Sequence, residues 1–169
     1  MNYEIRSIQL KDASGINAMR RMPGVFENIL GIPSERLKRS EDFIQNMGPN
    51  SHQFVAVTTL DDGNEVVIGT AGLSVYENPR LRHSGSIGIM IHKDYQGMRV
   101  GTALMEALLD IADNWLMLVR VDLTVFVDNE RAIQLYKNMG FEQEGVKKMG
   151  SIRNGEYVDE LIMSRIRLK

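Results

Sequence analysis

The chain contains no cysteine. That absence excludes disulfides, thiolate metal sites and a cysteine nucleophile together. It also bears on any acyl-transfer chemistry: with no thiol to hold an acyl group, direct attack by an acceptor on a bound donor is favoured over a two-step route. Neither sign of charge predominates, with 20 Lys and Arg against 22 Asp and Glu and a formal net charge of −2. Extended nucleic-acid binding needs a basic face, so that class is not expected. No apolar run approaches the roughly 18 residues that span a bilayer, and the opening Met-Asn-Tyr-Glu-Ile-Arg does not have the pattern of a signal peptide. The three histidines, His52, His83 and His92, include no pair at metal-ligand spacing, and no metal is expected. No repeat, low-complexity tract or linker divides the 169 residues. Residues 1–169 are therefore expected to form one cytoplasmic domain, long enough to bury roughly 70% of the surface its unfolded chain exposes.

What is present is organised around Ser86 to Met105. A β-branched run passes through a polar turn into a glycine-bearing loop and then directly into an amphipathic pattern. Val100, Leu104, Ala107 or Leu108, Ile111 and Trp115 repeat every three to four residues, which predicts one buried helical stripe. The first N–H groups of a helix have no intrahelical partners and carry about half a positive charge, so phosphate oxygens are natural ligands there. Gly97 and Gly101 lack the Cβ atoms that would hold a phosphate away. Spacing rejects two familiar phosphate motifs: no Gly-x-Gly-x-x-Gly follows a strand, and no lysine follows Gly101.

Taken in order, Tyr3 to Gln9 reads as a strand, and Asp12 as the N-cap of a helix through about Arg21. Pro33-Ser34-Glu35 begins a second helix to about Met47, with Leu37, Phe43, Ile44 and Met47 on its buried side. His52 to Leu60 and Glu65 to Tyr76 form a hairpin about Asp61-Asp62-Gly63-Asn64, and Gly69 and Gly72 predict a bulge or a close backbone neighbour. A third antiparallel strand, His83 to Ile91, leads into the glycine loop. Val119 to Val127 alternates cleanly and, after a helix, should lie parallel to that strand. Asp128 is then the expected N-cap of a helix over Asn129 to Met139, with Gly140 in a left-handed C′ position. Phe141 to Lys148 and Glu156 to Ile166 are the last strands, turning at Arg153-Asn154-Gly155.

The segment Asn129-Glu130-Arg131-Ala132-Ile133-Gln134-Leu135-Tyr136 puts an amide near a helix start and a phenol two turns on, along one face. Gln96 and Gly101, followed by Asn129, Ala132, Tyr136, Gly140 and Phe141, resemble the two halves of the coenzyme A site of the GNAT acetyltransferases, in the expected order. Arg99 stands where that family usually has its middle glycine. Either the loop forms without a positive φ at this position, or the arginine is there for its charge. Asp113 to Leu116, Leu123 to Asn129 and Arg153 to Asp159 are most similar to the L-amino-acid and phosphinothricin-type N-acetyltransferases, while ribosomal-protein N-terminal and polyamine acetyltransferases share much of the frame.

The resemblance implies an α/β (α+β) GNAT fold: a mostly antiparallel seven-stranded sheet, about four helices and a splayed central parallel pair. It implies acetyl-CoA as cosubstrate, a small-molecule amine as acceptor, and by general prior a homodimer. Backbone groups of Ile89, Met90 and Ile91 would pair with the pantetheine arm. The loop Gln96, Gly97, Met98, Arg99, Val100, Gly101 and Thr102 would hold the pyrophosphate, and Asn129 would hydrogen-bond the arm. Tyr136 would protonate the leaving thiolate, and an N–H near Met90 would stabilise the oxyanion. No glutamate occupies the strand His83 to Ile91 where some relatives carry a base, so proton removal through ordered water is expected, with Glu77 and His83 as outside candidates. His52 and His92 are expected at the surface. A catalytically silent acetyl-CoA sensor is the rival reading, against which Tyr136 counts.

Overall fold

The computed structural model describes residues 2–168. Strands Glu4–Ser7 (β1), Ser51–Thr59 (β2), Glu65–Val75 (β3), Ser84–Ile91 (β4), Arg120–Phe126 (β5), Glu142–Arg153 (β6) and Glu156–Ile166 (β7) are joined by helices Ala13–Arg20 (α1), Leu37–Gln45 (α2), Val100–Asp110 (α3) and Glu130–Asn138 (α4). The seven strands form one sheet in the order β1-β2-β3-β4-β5-β7-β6. Every neighbouring pair is antiparallel except β4 and β5, which are parallel. This is the mixed sheet with a central parallel pair that the sequence predicts.

Strand alternation divides the core in two. On one face Ala56, Ile68, Leu73, Ile87, Val121 and Leu123 pack against Val100, Leu104 and Leu108 of α3. On the other, Val55, Val57, Val67 and Met90 meet Ile16 and Met19 of α1. The close neighbour expected at Gly69 is α3 itself: a Cβ there would lie 3.0 Å from Leu104 Cδ1 and 2.9 Å from Ile91 Cδ1. The β2–β3 register shifts beside it, between Ala56 and Val57.

Four local expectations are corrected. Asp12 does not cap α1 through its side chain. It accepts the Gln9 N–H at 2.7 Å and two guanidinium bonds from Arg6 at 2.9 and 2.8 Å, which ties β1 to a single 3-10 turn, Leu10–Asp12, ahead of the helix. On α2 the buried residue is Ser40, whereas Leu37 and Phe43 are exposed, Phe43 by 51%. That face of α2 borders a cleft and not the core. Trp115 is 74% exposed because α3 passes into a π-helical turn, Ile111–Trp115, in which Leu116 N–H bonds Ile111 O. The wider turn rotates the following side chains away from the 3.6-residue stripe and buries Asp113 instead. Finally, β6 runs past Lys148 to Arg153, with a register shift between Lys147 and Ser151.

Asp113 fastens this π turn to β7. It accepts bonds from Arg165 Nη1 and Nη2 at 2.8 and 2.7 Å, and Arg167 Nη1 lies 2.8 Å away. The Arg165 hydrogen bonds outweigh burial and hold the carboxyl below its ordinary value. Such a group stabilises the fold fully above the unfolded pKa, about 3.9, and loses that contribution as pH falls through the lower folded value. We expect Asp113→Asn to cost about 2 kcal/mol at pH 7, the scale of a charge-assisted bond. The gap from the parent should close as urea melts are repeated at progressively lower pH, below the ordinary carboxylate value and on through the lowered folded one. A deficit independent of pH would show that shape and not charge matters at this position.

Candidate active site

The site begins where two strands part. β4 and β5 are in register only at Ser84–Arg120, Gly85–Val121 and Ser86–Asp122, and then separate. Tyr76 N–H bonds Ser84 O at 3.1 Å and His92 N–H bonds Ile68 O at 2.9 Å, so the even-numbered residues of β4 turn their peptide groups towards β3. The N–H and C=O groups of Ile87, Ile89 and Ile91 consequently face the gap. Met90, in register with Thr70, has its peptide groups turned to β3 and its side chain among the α1 cluster. This removes Met90 as the backbone donor at the gap, because alternation gives that edge to Ile89 and Ile91.

Beyond β4 the chain turns through Gly97 (φ +80°) and Arg99 (φ +63°) into α3. Arg99 therefore adopts the left-handed backbone a glycine would, and of the two alternatives a loop without positive φ is excluded. Gln96, Gly97, Arg99, Gly101 and Thr102 border the cleft. Met98 and Val100 do not: Met98 faces solvent and Val100 is buried in the core under α3, so only their peptide groups could serve a ligand. Gln96 closes the far end of the gap. Its Nε2 donates to Ile91 O at 3.3 Å, and its Oε1 accepts from Arg131 Nη1 at 2.6 Å. Arg131 was not singled out from sequence. Its signal was available, since a cation in the first turn of a helix opposes the macrodipole.

α4 supplies the other edge. Asn129 and not Asp128 is its N-cap: Asn129 Oδ1 accepts the Ala132 N–H at 3.3 Å, while Asp128 is ion-paired with Arg153. The Asn129 amide nitrogen keeps its donors for the cleft. The helix ends in a Schellman motif, with Phe141 N–H on Tyr136 O, Gly140 N–H on Lys137 O, and Gly140 at φ +85° as expected. That motif places Phe141 with its ring centroid 6.0 Å from that of Tyr136. Tyr136 is 6% exposed and lines the cleft. Burial pushes its phenol up to about 12, so the hydroxyl keeps its proton at neutral pH.

The cleft continues through the gap to the opposite face of the sheet, where Gly88, Met90, Thr124, Phe126 and Glu160 form its floor. α1, α2 and their connection form the wall. There Glu35 accepts Arg20 Nε at 2.5 Å and Arg39 Nε at 2.7 Å, so two guanidinium groups share one carboxylate and the wall has a cationic surplus. Ser40 Oγ, beside them, is buried with no hydrogen-bond partner among the described residues. The whole cleft encloses about 1320 Å³, more than the ~300–1,000 Å³ of an ordinary small-molecule pocket. It has room for a large ligand and a small one.

Glu77 and His83 are exposed and border none of this space. His52 and His92 are half-buried, and His92 Nδ1 accepts the Asp94 N–H at 3.2 Å as a turn cap. Among the described residues no group of three or more His, Cys, Asp or Glu could hold a metal ion, and no helix is long and apolar enough to cross a membrane.

Comparison with known proteins places this geometry among relatives. The sequence model described as the Acetyltransferase (GNAT) family matches residues 22–141. An L-amino acid N-acetyltransferase, AaaT, of Escherichia coli (strain K12) is 36% identical over 163 residues, covering 96% of this chain and 97% of that protein. A spermidine N(1)-acetyltransferase of Vibrio cholerae is 30% identical over 100 residues, 59% of this chain and 57% of its own length. The crystal structure of a Vibrio cholerae spermidine N-acetyltransferase in complex with CoA and spermine superposes with a TM-score of 0.81 at 23% identity, over 97% of this chain and 95% of that one.

The left-handed backbone at Arg99 predicts a stability test. A non-glycine residue there costs about 1–2 kcal/mol, partly offset by the greater entropy glycine has when unfolded, about 0.4–1 kcal/mol. Arg99→Gly should therefore raise stability by roughly 0.5–1 kcal/mol, read as a higher urea midpoint. An unchanged or lower midpoint would mean that the arginine side chain offsets the strain with contacts of its own.

Proposed function

Because the chain belongs to the GNAT acetyltransferase family, we propose that residues 1–169 act as one acetyltransferase domain that moves acetyl directly from acetyl-CoA to the α-amine of a small molecule carrying a carboxylate, such as an amino acid. The observation that carries the acceptor class is the cationic wall: Arg20 and Arg39 against the single carboxylate of Glu35, with the unpartnered Ser40 hydroxyl beside them. A substrate carboxylate would supply the missing charge and an acceptor for that hydroxyl. A polycation would meet repulsion at this wall. The likeness to AaaT, whose name specifies L-amino acids, agrees with this choice.

The residues have separate tasks in this reaction. The open edge of β4, at Ile89 and Ile91, pairs with the amide-bearing arm of the donor as an added strand would, and Asn129 donates from the other side. The first-turn N–H groups of α3 and the Arg99 guanidinium bind the diphosphate. With Met90 turned to β3, the backbone donor to the developing oxyanion is the Ile89 or Ile91 N–H. Tyr136, still protonated, gives its hydroxyl proton to the departing sulfur.

Three outcomes test the assignment. Free thiol should appear when the protein is mixed with acetyl-CoA and L-amino acids; none above background, with CoA still raising the melting temperature, would indicate a sensor. Tyr136→Phe should lower kcat about 100-fold with little change in acetyl-CoA affinity, and equal turnover would remove its acid role. Arg39→Ala leaves Glu35 paired to Arg20, and should raise KM for the amino acid about tenfold, roughly 1.4 kcal/mol. The same substitution should leave KM for acetyl-CoA unchanged.

A further inference from the structure

Among the described residues four carboxylates are buried: Asp12, Glu35, Asp113 and Glu160. The first three answer to guanidinium groups. Glu160 has no such partner, and of the four it alone borders the cleft. It is 6% exposed, on β7, in register with Phe126 of β5 and Lys147 of β6. Its neighbours Leu161 and Val125 pack in the α3 cluster, so alternation turns Glu160 and Phe126 to the opposite face, the floor of the acceptor half. β7 adjoins β5, whose other edge opens on the gap, so the carboxylate rises about one strand spacing, ~4.8 Å, from the strand that borders the reacting bond.

The fold holds this side chain in place with one hydrogen bond and one loose ion pair. Ser151 Oγ donates to Glu160 Oε1. Lys147 Nζ stands 3.9 Å from Oε2, beyond hydrogen-bond reach, on a half-exposed side chain. At Gly150 a Cβ would come 3.0 Å from Glu160 Cδ, so the glycine lets β6 pass closely over the carboxylate. The nearby guanidinium of Arg153 is committed elsewhere, stacked 5.1 Å over the Phe126 ring and paired with Asp128. One carboxylate oxygen is thus oriented by Ser151, and the other has no hydrogen-bond donor in reach.

We infer that Glu160 is the group that receives the acceptor amine and accepts its proton, a role resting on the acetyl-transfer reading above. The Arg20–Arg39 wall holds the substrate's carboxylate and Glu160 on the floor holds its nitrogen, so the two ends of a zwitterion meet opposite charges. The α-ammonium of a free amino acid titrates well above neutrality because its own carboxylate stabilises the charge, so only a small fraction of molecules is neutral at pH 7, and this form reacts. Its lone pair forms the bond to the acetyl carbonyl carbon and the carbon–sulfur pair leaves on sulfur. The N–H, made acidic as the new bond forms, passes its proton to Glu160. Sulfur takes the Tyr136 proton, and the proton on Glu160 restores the phenol through water, so the transfer from the neutral amine neither gains nor loses a proton; the proton that the bound ammonium gives up beforehand leaves to solvent.

Glu160→Gln tests this with the L-α-amino acid, of the twenty standard ones, that the wild type acetylates fastest. Calorimetric titration of that amino acid into the CoA-bound protein should show at least tenfold weaker binding in the variant. CoA affinity and melting temperature should be unchanged, and kcat/KM should fall on the order of 100-fold. If Glu160→Gln lowers the melting temperature, Glu160→Asp replaces it: loss of kcat by tenfold or more at wild-type CoA affinity supports the role, and unchanged kcat per folded molecule overturns it. A wild type that acetylates none of the twenty overturns the underlying reading. An active wild type matched by Glu160→Gln in both binding and kcat/KM overturns the role of Glu160 alone.

Discussion

The structure depends on a parallel strand pair that is abandoned after three residues on each side. Backbone groups buried away from water must be hydrogen-bonded, and the separation leaves the β4 edge at Ile89 and Ile91 without a strand partner inside the protein. A fold can sustain that arrangement only if the two edges are held apart by other means. At the near end the gap is bounded by the last ladder pair, Ser86 and Asp122. At the far end Gln96 spans it, bonded to Ile91 O and to Arg131. The opening is therefore a built feature, and an extended ligand with amides is what its edges are able to accept.

Strand alternation gives the opening its two sides. Ile87, Val121, Leu123 and Val125 turn to the α3 and α4 face, where the glycine loop and Tyr136 lie. Gly88, Met90, Thr124, Phe126 and Glu160 turn to the α1 and α2 face, where Arg20 and Arg39 stand. One sheet thus separates a chamber of peptide N–H groups from a chamber of charged side chains, and the gap between β4 and β5 is where the two connect. A two-substrate transfer without a covalent enzyme intermediate needs that geometry, and a chain with no cysteine has no thiol for the alternative route.

Four local rules are broken around this cleft, although left-handed non-glycine backbone also occurs away from it at Met117, Met149 and Asn154. Arg99 occupies a left-handed backbone, Ser40 buries a hydroxyl with no partner, Arg131 places a cation at a helix start, and Glu160 buries a carboxylate with no guanidinium. Each costs stability and each borders the same space. Elsewhere buried charges are satisfied, as at Asp12 with Arg6 and at Asp113 with Arg165 and Arg167. Departures of this kind at a cleft are expected where a site must bind something the protein does not contain.

Spacing in the sequence was enough to determine the seven strands, the four helices, the loop from Gln96 to Thr102 and the Gly140 helix stop, because period, turn chemistry and caps are local properties. It could not determine which way a peptide group points at a strand edge, which is why Met90 is expected at the gap together with Ile89 and Ile91, whereas alternation gives that edge to Ile89 and Ile91 alone. Phase beyond an irregular turn was equally out of reach: the π turn that exposes Trp115 and buries Asp113 is fixed by contacts with Arg165 and Arg167, more than 50 residues away. The charged chamber under α1 and α2 was legible least of all. Arg20, Arg39, Ser40 and Glu160 come from segments with no shared motif, and only the packing of α1 and α2 over the sheet brings their charges to face one another across the cleft.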